Sequence, residues 1–289
     1  MKRNLQLLVI DPQNDFCDLP PAYLPSAAQG GASVVPALPV PGAHDDMLRV
    51  AGLIRTGAAG LTGISITMDA HHRYDIAHPT FWMTAQGGDV APFTSISAAA
   101  VRAAEFQPRQ PTALPRALAY LDALEAEGRY QLMIWPVHCE IGTWGQNVHA
   151  DVRAAYNAWE EKTLSVVSKI SKGSNPWTEH YSAIRAEVPD AGDPDTQLNQ
   201  SLILELSKAD RVYICGEAGS HCVKATTEHL VENFAAADLH KLVLLTDCMS
   251  AVSGFDAQFE GFVRDMVAKG VQIAKMADVL PELLANAAA

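Results

Sequence analysis

Residues 213–230 read YICGEAGSHCVKATTEHL. An apolar run from Val212 to Cys215 meets a turn of mostly small residues, Gly216 to Ser220, and from Cys222 onward the composition is helical. A strand, a short turn and a helix in that order form the building unit of α/β layer proteins. The same stretch puts a thiol at a helix N-terminus. Unpaired N–H groups and the positive helix end there lower a thiol pKa and can hold a developing oxyanion. A packed core cysteine is the plainer assignment, and it suits Cys215 and Cys248 better because both sit in or beside apolar runs.

Working outward, five further apolar runs have strand character: Leu5–Ile10, Ile64–Met68, Leu164–Val167, Leu242–Thr246 and Val271–Ala274, with a weaker one at Leu132–Trp135. Each is apolar almost throughout, as expected of strands covered on both faces. Helical patterns lie between them at 45–57, 114–127, 197–208, 222–236 and 254–268. In the last, Phe255, Phe259, Phe262 and Met266 form a stripe at helical spacing. Alternating strands and helices predict a parallel sheet wound on both faces. Residues 19–37 are rich in Pro, Gly and Ala, and 84–130 mix a polar small-residue stretch with one helix; both read as insertions in a single domain, 1–289.

The net charge of -12, with no run of Lys or Arg, speaks against nucleic-acid or anionic-membrane partners. The cysteines Cys17, Cys139, Cys215, Cys222 and Cys248 are odd in number and scattered, which suits a reducing compartment rather than a disulfide framework. No apolar stretch is long enough to span a bilayer, and the run before Asp11 is too short for a secretory signal, so a soluble, cytoplasmic protein is expected.

Several polar residues stand at the ends of the apolar runs. Asp11 follows the first, where parallel sheets build their sites; alone it would pass for a turn or helix cap. Asp69 and His71, in TMDAHH, alternate as extended backbone does, so both side chains point to one side. A carboxylate with imidazoles suits a divalent ion such as zinc, iron or manganese, and His72, His78 and His138 lie within reach in sequence. Lys172 precedes a glycine; a lysine there is ordinarily a solvated edge residue.

Taken together and in order, the blocks VIDPQNDFC, LPVPG, TMDAHH, WPVHCEIGTWG, SKGSNPWTEHYSA and GEAGSHCVKAT resemble the nicotinamidase/pyrazinamidase branch of the isochorismatase-like cysteine hydrolases. The resemblance runs over most of the chain, broken at 19–37 and 84–130. It implies a Rossmann-like three-layer α/β/α fold with a mainly parallel six-stranded sheet. It places the family's catalytic triad on Asp11, Lys172 and Cys222, and its metal ligands on Asp69, His71 and His138. Some members use a further histidine, which falls on His78. The oxyanion hole falls on the N–H groups of Ala218 and Cys222, with a cis peptide between Glu217 and Ala218. The walls of the substrate pocket fall on Phe16, Trp135 and Tyr181.

The activity implied by the resemblance is that of a cysteine amidohydrolase. It would convert nicotinamide to nicotinate and ammonia in NAD salvage, carry a divalent ion (zinc before iron or manganese) and be compatible with a homo-oligomer. A related hydrolase of another small amide, such as maleamate or an aromatic carboxamide, is the alternative. The departures lie around the pocket. Glu217 stands where the family is usually apolar, AGSHC replaces a common Thr-Asp pair, and Ile184 stands where an aromatic is usual after Tyr181-Ser182. Glu217 is therefore expected to bear on the substrate. A degenerate scaffold acting as a binding protein would not keep the whole triad.

Overall fold

In the computed structural model, which describes residues 2–26 and 34–289, the apolar runs become the strands of one sheet. The chain begins β1 (Leu5–Ile10), α1 (Ala43–Gly57) and β2 (Gly63–Asp69). It then runs through β3 (Trp82–Thr84), β4 (Thr94–Ile96), α2 (Ala98–Arg102), β5 (Phe106–Pro108), α3 (Leu114–Glu127) and β6 (Leu132–Ile134). Next come α4 (Ala150–Thr163), β7 (Ser168–Lys172), α5 (Gln200–Ser207), β8 (Arg211–Gly216) and α6 (Cys222–Asn233). The chain closes with β9 (Leu242–Leu245), α7 (Asp256–Lys269), β10 (Gln272–Ala274) and α8 (Met276–Ala287).

The main sheet has six strands in the order β10-β9-β8-β1-β2-β7, and every neighbouring pair is parallel. Helices flank it to give three layers, the expected α/β/α architecture. The chain starts at the centre with β1, moves out through β2 to β7, then returns to β8 beside β1 and moves out the other way. The winding reverses between β1 and β8, and ligands of open α/β sheets bind beyond the carboxyl ends of the strands at such a reversal. Residues 5–10 are buried throughout, as are Val212 to Gly216, so both central strands have no solvent face.

One strand is displaced from its expected place. Leu164–Val167 is not a strand: Leu164 is 91% exposed and Val166 85%. The strand is Ser168–Lys172, whose partly buried residues alternate with exposed ones because it lies at the sheet edge. Apolar runs mark central strands; an edge strand needs only one covered face, so the pattern of SKISK is the truer signal. Leu132–Ile134 is a strand but lies outside the main sheet, paired antiparallel with Thr94–Ile96. Helices α2, α4 and α8 are additional to those expected. The stripe Val152, Ala155, Tyr156 and Trp159, all buried, carried the signal for α4.

Of the two insertions, residues 27–33 lie outside the described residues. The 84–130 segment contributes β4, which supports β6; the chain leaves β6 at Ile134 and delivers Trp135 and His138 to the sheet's carboxyl edge. Trp135 is pinned there by its N–H to the Ala77 carbonyl at 2.8 Å.

Candidate active site

Four strands end on one cluster. Asp11 follows β1, Asp69 ends β2, Lys172 ends β7, and Cys222 opens α6 just beyond β8. All four are buried. Lys172 Nζ lies 2.9 Å from Asp11 Oδ2, 3.1 Å from Asp69 Oδ1 and 3.6 Å from Cys222 Sγ. One ammonium therefore joins the thiol and both carboxylates. The Asp11, Asp69 and Cys222 donor atoms lie within 4.8 Å of one another, but this ammonium already occupies their midst.

The local backbone explains the convergence. Asp11 has φ 44°, a region L residues seldom adopt. It is held there by its own N–H to Thr67 Oγ1 (3.1 Å) and by Thr67 Oγ1–H to its Oδ1 (2.6 Å). Gln13 zips this turn to the end of β2, accepting the Asp69 N–H and donating to the Asp69 carbonyl, each at 2.7 Å. Gly173 has φ 86°, and a Cβ there would stand 2.8 Å from Asp69 Oδ1, so only glycine lets Lys172 turn inward. At Gly216, φ 115°, a Cβ would collide with the Ile10 carbonyl at 2.0 Å.

Charge and burial set the protonation. Burial works against the Lys172 ammonium, but Asp11 and Asp69 hold it well above the ordinary lysine value. Burial raises the Asp11 carboxyl, against the pull of Lys172. Burial likewise pushes the Cys222 thiol well above its usual value, only partly offset by Lys172. This corrects the expectation of a depressed thiol pKa: desolvation of a fully enclosed thiolate outweighs the helix end. The thiol rests protonated and needs a base.

The peptide between Glu217 and Ala218 is cis. Among the described residues, neither the Ala218 nor the Cys222 N–H has a protein acceptor, although the neighbouring Gly219 and His221 N–H groups do. Two donors are thus left unclaimed beside the thiol, in a cavity that Ala218 and Cys222 both line.

On the other side of Lys172 lies a second donor set. The ligand atoms of Asp69, His71 and His138 lie within 4.8 Å of one another, and all three residues are buried. His71 Nδ1–H donates to Asp75 Oδ2 at 3.1 Å and His138 Nδ1–H to the Pro136 carbonyl at 2.8 Å. Both Nε2 atoms are thereby turned to Asp69 Oδ2, at 3.1 and 3.4 Å. A histidine oriented from behind by an oxygen, with its other nitrogen facing a carboxylate, is the usual form of a metal ligand. His71 Nε2, although 3.1 Å from Asp69 Oδ2, makes no aligned hydrogen bond among the described residues, which leaves its lone pair open to an ion. The residues fit a first-row divalent metal. His78 packs beside the set, its ring centroid 5.1 Å from that of His71, but it is not one of the converging three. Neither of its ring nitrogens has a partner among the described residues, and burial drives its pKa down to about 2. His72 is exposed and lies outside the set.

Phe16, Trp135 and Tyr181 line the cavity together with Asp69 and His138. Trp135 Nε1–H donates to Tyr181 Oη at 3.0 Å, fixing two walls to each other. Four lining residues were not expected from the sequence: Leu38, Glu179, His221 and Val252. Glu179 and His221 flank the recognised Tyr181 and Cys222, and that nearness was the only signal available. Glu179 Oε2 has no partner among the described residues, and burial raises its carboxyl to about 8. Glu217 does not line the cavity and is fully buried; the polar side chains that do line it are Asp69, His138, Glu179, His221 and Cys222, with the Tyr181 hydroxyl and the Trp135 N–H engaged with each other.

No protein-family model matches this sequence, and no curated protein does. Solved structures do match. The nicotinamidase/pyrazinamidase of Acinetobacter baumanii superposes with a TM-score of 0.60 at 20% identity, over 96% of this chain and 98% of its own. The yeast nicotinamidase bound to the inhibitor nicotinaldehyde gives 0.59 at 20%, over 94% and 99%. The Pyrococcus horikoshii pyrazinamidase in complex with zinc gives 0.54 at 21%, over 94% and 99%. The chain shares the fold of these amidases. Among the described residues no helix is long and apolar enough to cross a membrane.

Proposed function

We propose that the chain is a cysteine amidohydrolase acting on a small aromatic carboxamide, with nicotinamide as the leading substrate and a role in NAD salvage. The observation that carries this reading is the meeting of Cys222, Asp11 and Lys172 at the head of α6, beside two unclaimed N–H groups and an aromatic-walled cavity. The nicotinamidase and pyrazinamidase structures that share the fold add support.

Asp11 accepts the Cys222 proton, and Lys172 balances the negative charge as it moves between carboxylate and sulfur. The sulfur attacks the amide carbon, and the new oxyanion is received by the Ala218 and Cys222 N–H groups. Asp11 then gives its proton to the departing nitrogen, which leaves as ammonia. Asp11 next takes a proton from water, whose oxygen attacks the thioester carbon; the carbon–sulfur bond breaks, the acid leaves, and Asp11 returns the proton to Cys222. Phe16, Trp135 and Tyr181 hold the ring and exclude bulk water. Asp69, His71 and His138 would hold a divalent ion, zinc before iron or manganese, which when bound supplies a Lewis-acid anchor for a ring nitrogen.

Ammonia release is measured from nicotinamide, pyrazinamide, benzamide and maleamate, with wild type and Cys222→Ala. The reading expects nicotinamide or pyrazinamide to be turned over best and C222A to be inactive. Equal turnover by C222A would overturn the nucleophile, and a preference for maleamate would overturn the aromatic substrate.

A further inference from the structure

Behind the wall that carries Ala218 lies a pair of acids that the proposed chemistry leaves unused. Glu217 Oε2 accepts the Ser250 N–H at 3.2 Å. Asp46, buried in the first turn of α1, accepts Ser250 Oγ–H on Oδ2 at 2.5 Å and the Arg49 guanidinium on Oδ1 at 2.6 Å. Two buried carboxyl groups thus meet on one serine. The groups facing them are Arg49 of α1, Cys17 and Asp18 after β1, Cys215 of β8, and Asp247 and Cys248 before Ser250. Arg49 is the one cation among these, and it is engaged with Asp46 and the Asp247 carbonyl. Two ionised carboxylates in such a place repel each other; a proton between them turns the contact into a charge-assisted hydrogen bond. Glu217 Oε1 has no donor among the described residues and is free to carry that proton.

The pair is tied to the cavity through the same serine. The Ser250 carbonyl accepts the Gly219 N–H at 2.7 Å. Ser250 therefore grips Glu217 by its side chain and Gly219 by its backbone, the two residues on either side of Ala218. The peptide is also held by the Glu217 N–H to the Ile10 carbonyl (2.8 Å) and by the Ala218 carbonyl, which accepts the His221 and Val223 N–H groups (3.0 and 3.1 Å); Ser250 adds the hold on the side facing Asp46.

We propose that Glu217 and Asp46 share a single proton, and that this carboxyl pair, acting through Ser250, helps to aim the Ala218 N–H into the Cys222 cavity. This rests on the amidase reading of that cavity. Burial, then the charge and hydrogen bond of Asp46, holds the Glu217 carboxyl well above the usual range. Stability from the shared proton is therefore full in acid, below the unfolded carboxyl value, and is lost as pH rises through the raised one.

The test compares wild type, Glu217→Gln and Glu217→Ala for Tm against pH and for kcat and KM against pH. In E217Q the carboxamide donates to Asp46 and has no proton to lose. Its Tm should lack the downward slope that wild type shows with rising pH, and its kcat should hold to higher pH. E217A should lose kcat by about 10–100-fold, as when an oxyanion donor is misaligned. Its KM should stay within about threefold, because ground-state binding is untouched. Identical Tm–pH slopes for wild type and E217Q would overturn the shared proton. Equal kcat in E217A and wild type would overturn the positioning role. Absence of turnover in wild type would sink the amidase reading alone, since the Tm comparison decides the shared proton without a substrate.

Discussion

Lys172→Met removes a charge from the place where it has least replacement. The ammonium is 3% exposed and sits 2.9 Å from Asp11, 3.1 Å from Asp69 and 3.6 Å from the Cys222 sulfur. Methionine fills nearly the same volume, so the change isolates charge from packing. Two buried carboxylates lose their common partner, and breaking a buried pair in this way costs about 3–5 kcal/mol. At about 2 °C per kcal/mol for a chain of this length, Tm should fall by about 6–10 °C. The loss should depend on pH. Without Lys172 the Asp11 carboxyl, already raised by burial, rises further. The variant's stability is then best in acid and declines as pH climbs through that value, so the gap to wild type widens from acid to neutral pH. Amide turnover should fall by about 10²–10³-fold, the scale of losing a preorganised charge at a reacting centre. Scanning calorimetry at several pH values and steady-state ammonia release are the assays. A variant whose Tm lies within about 2 °C of wild type at neutral pH (well under the ~6 °C expected), or whose kcat is unchanged, would refute the view that Lys172 balances the cluster.

Two further outcomes concern the histidines. Asp75→Ala removes the acceptor behind His71 without touching the converging donors, so divalent-ion affinity, measured by chelator competition, should fall about 10–100-fold; unchanged affinity would argue against His71 as a ligand. Burial, then His44, pushes the His149 imidazole down to about 4 from 6.5. Its contribution to stability is therefore present above pH 6.5 and lost as pH falls toward 4. His149→Gln should flatten the acid side of the Tm profile, and an equally steep profile would assign the acid loss elsewhere.

The cluster of Asp11, Lys172 and Cys222 was legible because each stands next to a local signal: Asp11 after an apolar run, Lys172 before a glycine, Cys222 after a small-residue turn. Their mutual distances were not, since residues 11, 172 and 222 meet only through strand order. The misplaced strand shows the same limit. Leu164 and Val166 look like strand residues because they are aliphatic, yet they are almost fully exposed, while SKISK looks polar and forms the edge of the sheet. Hydrophobicity reports how many faces are covered, and an edge strand has fewer. Asp75, Glu179 and His221 carried no pattern of their own; they matter through what they touch.

The sequence by itself determined the alternation of strands and helices, the identity and order of the polar residues at the strand ends, and the glycines at 173 and 216 that allow close backbone approach. These are local properties, written in periodicity and in the lack of a Cβ. Tertiary structure alone decided which way each polar side chain faces and what charge it bears. Glu217 is the clearest case. Next in sequence to the expected oxyanion hole, it was expected to bear on which substrate is taken. In the fold its side chain is turned away from the cavity, toward Ser250 and Asp46, a direction set by the bend that follows β8 and by what packs behind it, not by its place along the chain. Cys222 is the other: its position at a helix end argued for a low pKa, and its enclosure by the sheet edge reversed that, because desolvation depends on everything packed around the sulfur and not on its neighbours along the chain.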